Sequence, residues 1–265
     1  MYNNKKKPYV TIITPNYNGS KYLEKTIKSV INQTNKNFEY LVFDACSNDA
    51  SLKIINKYKK NIDHISIKKD FGIYHAMTKA IKKSKGNVIV WINSDDILDK
   101  DAVSNVIKIF KFKKKTNWIS GINGYIKNGY IFSGIPYWYP RFIIKKGFAH
   151  HNFWGFIQQE STAFRKNFFL KHGYFLNYNN NACDYHLWKK FAKISKLETY
   201  YIKIGYFRSW PGQNSKVQER KYYSDTGIKK YFISLRHIRL VASLFMLPYF
   251  YLNSLYVLSK YKLTK

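Results

Sequence analysis

The sequence predicts an α/β protein: a mostly parallel central sheet with helices on both faces, followed by a helical C-terminal tail. Two observations carry this. Short β-rich runs alternate with stretches of helical periodicity through residues 1–115, with brief connections between them. The run at 88–92 is almost continuously apolar, the pattern of a strand covered on both sides. A third observation bears on function. Polar clusters fall at the ends of three predicted strands, at 15–18, 44–49 and 93–96, where ligands bind in such sheets.

The elements follow in order. Residues 9–14 read as a short strand ending at Pro15, and Ser20 is placed to cap a helix in which Leu23, Ile27, Val30 and Ile31 recur at helical spacing. Residues 38–43 form a second strand that closes on Asp44. Helical spacing returns over 51–58, with Leu52, Ile55 and Tyr58 along one side, and 62–67 is a third, shorter strand. Residues 73–81 predict a helix and 88–92 the central strand. Asp99 or Asp101 can then cap a helix bearing Val103, Val106, Ile107 and Phe110. After Lys115 the pattern changes. Residues 118–132 are β-rich and punctuated by glycine, 135–155 are aromatic with little periodicity, 183–194 are helical and 197–207 strand-like. No internal repeat or low-complexity linker is present.

A chain of 265 residues with a hydrophobic fraction of 45% can bury a sizeable core, which argues against wholesale disorder. The formal net charge of +31 raises a nucleic-acid reading, and a basic nucleic-acid-binding protein stands as one alternative function. The lysines are spread along the chain, however, with neither zinc-finger spacing nor an aromatic ribonucleoprotein motif. Attraction to anionic lipid headgroups uses the same charge without a motif, so a membrane surface is expected as a partner and a specific nucleic acid is not. Cys46 and Cys183 are too few and too isolated for a disulfide framework or a zinc site, which suits a reducing compartment. Residues 1–9 are polar and Lys-rich with no apolar stretch behind them, so no secretory signal is expected. The expected location is cytoplasmic, peripheral on the inner face of a membrane; the oligomeric state is open.

The candidate chemistry begins at Asn93-Ser94-Asp95-Asp96, directly after the central strand. Adjacent carboxylates at a strand end point different ways, so one can reach a divalent cation while the other accepts hydrogen bonds from a sugar. Oxygen ligands, with substrate phosphates completing the shell, suit Mg²⁺ or Mn²⁺. A helix cap or Asx-turn accounts for the same pair without a metal. Tyr17, within Pro15-Asn16-Tyr17-Asn18-Gly19, either stacks on a base or packs over a turn. Asp44 either accepts a hydrogen bond from a base N–H or serves the turn through Ser47-Asn48-Asp49. For His150 and His151, a mobile aromatic loop is a plainer explanation than metal ligation, because no carboxylate stands nearby in sequence. Arg208 and the loop Gly212-Gln213-Asn214-Ser215 are placed to close over a diphosphate.

Five blocks, in order and at matching spacing, carry a resemblance. They are Thr11-Ile12-Ile13-Thr14-Pro15-Asn16-Tyr17-Asn18, Phe43-Asp44-Ala45-Cys46-Ser47-Asn48-Asp49, Gly72-Ile73-Tyr74-His75-Ala76-Met77, Asn93-Ser94-Asp95-Asp96 and Gln158-Gln159-Glu160-Ser161-Thr162. With Cys183-Asp184-Tyr185-His186-Leu187-Trp188 the similarity runs over about 8–215 and resembles the family-two inverting glycosyltransferases that build bacterial surface polysaccharides. The resemblance implies an A-type nucleotide-sugar fold and a role for each matched position. Pro15 and Tyr17 border the base, with Tyr17 stacking on uracil, and Asp44 bonds the ring N–H. Asp70 and Gly72 lie near the nucleotide, Asp95 holds the ribose, and Asp96 binds a Mn²⁺ or Mg²⁺ that bridges the diphosphate. Gln159 and Glu160 face the acceptor, and Asp184 is the general base; its plain alternative is a helix N-cap. A UDP-sugar would be the donor, and a glycan or lipid-linked precursor the acceptor. A non-catalytic member that binds nucleotide or glycan is the other alternative. Three positions depart from the common pattern: Cys46 stands where glycine is usual, His75 where aspartate is frequent and Thr78 where asparagine is frequent. The implied organisation is a nucleotide-sugar-binding half over 1–115, an acceptor-binding half of the same domain over 116–215, and a helical, membrane-associating tail over 216–265.

Within that tail, residues 240–259 hold no charged side chain and are bracketed by Arg236, Arg239, Lys260 and Lys262. About 20 residues are enough to cross a bilayer. Pro248, Asn253, Ser254 and the tyrosines at 249, 251 and 256 instead suit a helix lying in the interface, and docking onto the domain is a further reading.

Overall fold

A computed structural model describes residues 7–150, 153–173, 175, 181–213, 219–227 and 234–263. The first half follows the predicted alternation: β1 (Val10–Asn16), α1 (Ser20–Ile31), β2 (Phe38–Asp44), α2 (Ser51–Lys57), β3 (His64–Ile67), α3 (Ile73–Lys83), β4 (Val88–Trp91), the short β5 (Ile97–Leu98) and α4 (Ala102–Phe112). Among the described residues, seven strands form the main sheet in the order β10-β6-β9-β4-β1-β2-β3. Here β6 is Trp118–Ser120, β9 Thr162–Arg165 and β10 Glu198–Thr199. Strands β4, β1, β2 and β3 run parallel, and β9 runs antiparallel between β4 and β6. A second sheet, β5-β11-β7-β8, adds β7 (Gly124–Lys127), β8 (Tyr130–Ser133) and β11 (Gly205–Ser209).

Both faces of the main sheet are covered, as the apolar run of β4 demands. Val88 and Val90 join Ile12, Leu23, Ile27, Val103 and Ile107 in the core under α1 and α4. Ile89 and Trp91 turn the other way, against Met77, Phe164, Trp188 and Phe191, under α3 and α7 (Cys183–Ile194). This alternation within one strand is the period-2 geometry of β structure.

Several sequence expectations shift. Ser20 is the first helical residue of α1, with Gly19 at the N-cap and no capping side chain; the Ser20 N–H is instead held by Asp49 Oδ2 at 2.9 Å. Asp101 occupies the N-cap of α4, also without a side-chain capping bond; its Oδ1 instead accepts from Thr34 Oγ1 at 2.8 Å. The aromatic stretch 135–155 contains a helix, α5 (Arg141–Lys146), ended by Gly147 in the left-handed conformation at φ 83°. β9 and α6 (Lys166–His172) carry too short a pattern to announce themselves. Helix α8 (Glu219–Thr226) precedes the long α9 (Arg236–Leu263), and Pro248 lies inside α9 without ending it.

Helix α9 packs along α4 and the loop before β11. Phe250 and Val257 are buried, Tyr256 meets Phe112 edge to face at 5.6 Å, and Ser254 Oγ accepts the Tyr201 N–H at 2.7 Å. Docking is therefore the tail's geometry, and its opposite face stays open.

A tight approach to the central strand β1 occurs at Gly86, before β4. Its N–H bonds Thr11 Oγ1 at 2.9 Å and Glu39 Oε1 at 3.0 Å, which helps satisfy a buried carboxylate. A Cβ there would sit 2.6 Å from the Thr11 backbone nitrogen. The obstacle is main chain of a central strand and cannot swing aside. Gly86→Ala is expected to destabilise by about 1–3 kcal/mol, seen as a lower urea midpoint with an unchanged slope. An unaltered midpoint would show that β1 yields.

Candidate functional site

The parallel register sets Asn16, at the end of β1, opposite Asp44, at the end of β2. Asp44 is buried. Its Oδ2 accepts from Asn16 Nδ2 at 2.6 Å and Ser47 Oγ at 2.7 Å, while Oδ1 accepts the Ser47 N–H at 2.7 Å. Asp44 thus builds the turn, and Oδ1 keeps one lone pair. The loop after β1 is tied to the same turn, with Asn18 N–H on Ser47 Oγ and Asn48 N–H on Asn18 Oδ1, both at 2.9 Å. Cys46 stands in this turn at φ 62°, a left-handed conformation, which accounts physically for glycine being usual there. Pro15 lies within β1, and Tyr17 projects beyond it, 66% exposed, with its ring open to a partner.

The acidic floor lies at the end of β4. Asp96 is fully buried; Oδ1 accepts the Arg208 N–H at 2.7 Å, and Oδ2 has no donor N–H or hydroxyl among the described residues, with the Glu160 carboxyl as its neighbour. Burial, then the charges of Glu160 and Asp95, push the Asp96 carboxyl well above the usual carboxylate range. Glu160 is pushed up to about 7, chiefly by burial. Gln159 and Glu160 sit in a 3-10 turn (Gln159–Ser161) entering β9, both buried. Asn93 Nδ2 donates to Gln159 Oε1 at 3.1 Å and to Glu160 Oε1 at 3.2 Å, and Gln159 Nε2 donates to the Trp91 carbonyl at 2.6 Å. The structure therefore gathers Asp95, Asp96, Gln159 and Glu160 around the end of one central strand.

Asp95 turns the other way. Its Oδ2 accepts from Trp210 Nε1 at 3.0 Å and Gln213 Nε2 at 3.3 Å, and its carbonyl accepts from Arg208 Nε at 2.6 Å. Lys21 lies 4.6 Å from the Trp210 ring and Arg208 4.5 Å from that of Tyr22. Arg208 and Gln213 thus do reach the acids. Trp210 was not legible beforehand; its only signal was an indole beside Arg208. Asn214 and Ser215 lie outside the described residues.

Beyond β3, Asp70 Oδ1 accepts the Gly72 N–H at 2.8 Å, and Gly72 opens α3 at φ 102°. Tyr74 in α3 packs edge to face on Trp91 at 5.7 Å, and its hydroxyl donates to the Asn181 carbonyl at 3.0 Å and, at 3.5 Å, to Asp184 Oδ1. Asp184 is not the helix cap: Ala182 holds that position, and Asp184 accepts the neighbouring Tyr185 N–H at 2.8 Å. Burial raises its carboxyl to about 6. Its charge is felt at Glu160, so base candidate and acidic floor share one neighbourhood.

A divalent cation fits this floor. The unpartnered Oδ2 of Asp96 and the repulsion among Asp95, Asp96 and Glu160 are what a cation would relieve. Among the described residues no three His, Cys, Asp or Glu side chains make a ready cage, so ligand oxygens would complete the shell. His150 is buried, and His151 lies outside the described residues.

Comparison with known proteins agrees with this geometry. The profile of "Glycosyl transferase family 2" matches residues 11–173. Chondroitin synthase of Escherichia coli is 29% identical over 244 residues, 86% of this chain and 34% of that protein. Hyaluronan synthase of Pasteurella multocida is 29% identical over 218 residues, 80% of this chain and 21% of that protein. The chain thus spans a minor part of the length of these curated relatives. Among solved structures, Staphylococcus aureus TarS 1-349 in complex with UDP-GlcNAc superposes with a TM-score of 0.65 at 18% identity, covering 82% of this chain and 64% of that one. The mannosyltransferase PcManGT of Pyrobaculum calidifontis, in complex with GDP-Man and Mn²⁺, gives 0.61 at 16% identity, covering 97% and 74%. The fold is the A-type glycosyltransferase fold.

Removing one charge from the floor tests its electrostatics. In EDTA, Asp96→Asn should raise stability by about 1–3 kcal/mol, because it deletes a buried carboxylate that repels its neighbours. Any melting increase that Mn²⁺ gives the wild type should vanish. A variant less stable than wild type in EDTA, and still stabilised by Mn²⁺, would show that Asp96 is neither strained nor a ligand.

Proposed function

This chain belongs to glycosyl transferase family 2, and from that premise we propose that it is an inverting transferase using a nucleoside-diphosphate sugar, with UDP as the carrier. Its acceptor would be a glycan or lipid-linked polysaccharide precursor. One observation carries the reading most: a buried carboxylate with an unpartnered oxygen, Asp96, lies at the end of the central strand, flanked by Asp95 and Glu160, with Asp184 in the same neighbourhood. The UDP-GlcNAc complex of TarS and the GDP-Man and Mn²⁺ complex of PcManGT support the same class of ligand on the same fold.

In this reading, residues 1–115 hold the nucleotide sugar and 116–215 the acceptor. The exposed ring of Tyr17 stacks on the base beside Pro15, and Asp44 meets the base N–H with its remaining lone pair. Asp70 and Gly72 border the nucleotide, and Asp95 takes the ribose. Lys21 and Arg208, both close to the acids, offset diphosphate charge. Asp96 would hold Mn²⁺ or Mg²⁺, whose charge stabilises the departing diphosphate. Gln159 and Glu160 shape the acceptor side of the floor. Asp184 takes the proton of the acceptor hydroxyl as that oxygen attacks the anomeric carbon. The bond to the diphosphate breaks with its electron pair leaving on the far side, so configuration inverts.

A peripheral place on the inner, cytoplasmic face of a membrane is part of the proposal. Helix α9 is long and apolar enough over Arg236–Lys260 to cross a bilayer, yet one face is docked on the domain. Phe245 is 83% and Leu252 62% exposed on the other face, beside a chain of net charge +31. This suits a helix lying on anionic lipid.

Two measurements follow. Asp184→Asn should retain nucleotide binding and lose about 10²–10⁴-fold in transfer. Wild-type turnover should fall as pH drops through about 6, because the protonated carboxyl cannot accept the hydroxyl proton. Normal transfer by the variant would place the base elsewhere. For the tail, Phe245→Glu with Leu252→Glu keeps the docked face intact and should abolish sedimentation with phosphatidylglycerol vesicles. Equal sedimentation by the variant and wild type would refute the attachment.

A further inference from the structure

Helix α9 brings a side chain toward the acceptor side of the domain. Arg239, in its first turns, lies with its guanidinium carbon 3.8 Å from the centre of the Tyr137 ring, and Nη1 donates to the Tyr139 hydroxyl at 3.2 Å. The backbone of Gly155 passes so close that a Cβ there would lie 2.2 Å from Nη1. Gly155 also takes φ 90°, so both space and conformation at that position favour glycine. The guanidinium is thus held on an aromatic ring with its donor edge fixed, and its buried Nε has no hydrogen-bond partner. Among the described residues no carboxylate pairs with it. Nε is closed to a ligand, and the Nη2 donors, which make no hydrogen bond among the described residues, are the ones left to meet an acceptor.

The cage is continuous with the candidate site. Tyr139 donates to the Phe156 carbonyl at 2.6 Å, and Gln158 Nε2 donates to the Gly124 carbonyl at 2.7 Å, so the segment leading to Glu160 forms its wall. Tyr125, next to Gly124, stands within reach of the charges of both Arg239 and Glu160.

We propose that Arg239 is an anion-binding residue on the acceptor side, receiving an oxyanion, a phosphate or a carboxylate, carried by the acceptor. This rests on the transferase reading above. A planar guanidinium stacked on an aromatic ring offers its N–H edge in the fork geometry that phosphate and carboxylate oxygens match. The next turn of α9 begins the open apolar face, with Leu240, Val241, Leu244 and Phe245 exposed. An acceptor whose anionic group sits at a lipid surface would therefore meet Arg239 at the rim. A phosphate would come from a lipid carrier and a carboxylate from an acidic sugar.

The test uses the full chain saturated with UDP and Mg²⁺, so that the nucleotide pocket is filled. Thermal melting is followed against inorganic phosphate in one arm and glucuronate in the other. At least one anion should stabilise the wild type, and its apparent affinity should fall roughly 10–100-fold in Arg239→Gln, the loss of a charge-assisted hydrogen bond. The arm that responds identifies the source. If Arg239→Gln gives no cooperative melt, Arg239→Lys carries the test: it keeps charge and stem, loses the fork, and should still weaken the response. No stabilisation of the wild type by either anion, or equal responses in wild type and variants, overturns the proposal. The assay needs no turnover. Failure of UDP itself to shift melting would instead count against the donor reading.

Discussion

Negative charge buried at the end of β4 is the constraint around which the rest of this site is arranged. Asp96 is fully buried, and Glu160 beside it is nearly so. Burying like charges together is unfavourable unless donors, protons or a cation compensate. The surroundings supply donors wherever the backbone allows. The Arg208 N–H serves Asp96, Asn93 serves Glu160, and Trp210 and Gln213 serve Asp95. Thr26 Oγ1 bonds the Asp96 carbonyl at 2.6 Å and fixes the main chain beneath. These donors come from α1, the end of β4, β11 and the loop after it. The second sheet is thereby pinned to the first at the acids, and one oxygen of Asp96 is still left over.

Much of this was legible in sequence, for a physical reason. A strand buried on both faces must be apolar throughout, and polar residues at its end then stand out, as Asn93 to Asp96 do after residues 88–92. The parallel order that brings Asn16, Asp44 and Asp96 to one edge follows from short strand–helix connections. Cys46 was legible as a departure, and its positive φ supplies the reason. What escaped depended on tertiary partners. β9 is four residues whose strand character comes from pairing with β4 and β6. α5 is six residues ended by a glycine inside an aromatic run. Trp210 matters only because β11 delivers it to Asp95.

The tail shows the same limit of pattern reading. A run without charges is compatible with spanning, lying on a membrane, or docking, and periodicity alone does not separate these. In the fold α9 does two things at once. Phe250, Val257, Ser243 and Ser254 are buried against the domain, while Phe245, Tyr249 and Leu252 face outward. One of the polar residues that counted against a span, Ser254, is explained by docking, since its Oγ accepts the Tyr201 N–H, and Ser243 Oγ likewise accepts the Trp138 N–H at 3.0 Å. An amphipathic helix whose polar atoms are used against its own domain leaves a more apolar open face than its composition suggests.

The environment of Asp184 differs from that of Asp96 in a way that suits different work. Among the described residues Asp184 has no cation partner; its bonds come from the Tyr185 N–H and, weakly, the Tyr74 hydroxyl. Had a lysine or arginine been paired with it, the charged form would be favoured and its proton affinity lowered, making a poorer base. Burial without pairing does the reverse and holds the group at about 6. It is then mostly ionised at neutral pH, yet basic enough to take a proton. Asp96 is raised by burial and by the like charges of Glu160 and Asp95, and a cation beside it would favour its ionised form. Two carboxyls on one fold are thus tuned apart by what stands next to them, one toward protons and the other toward a metal ion.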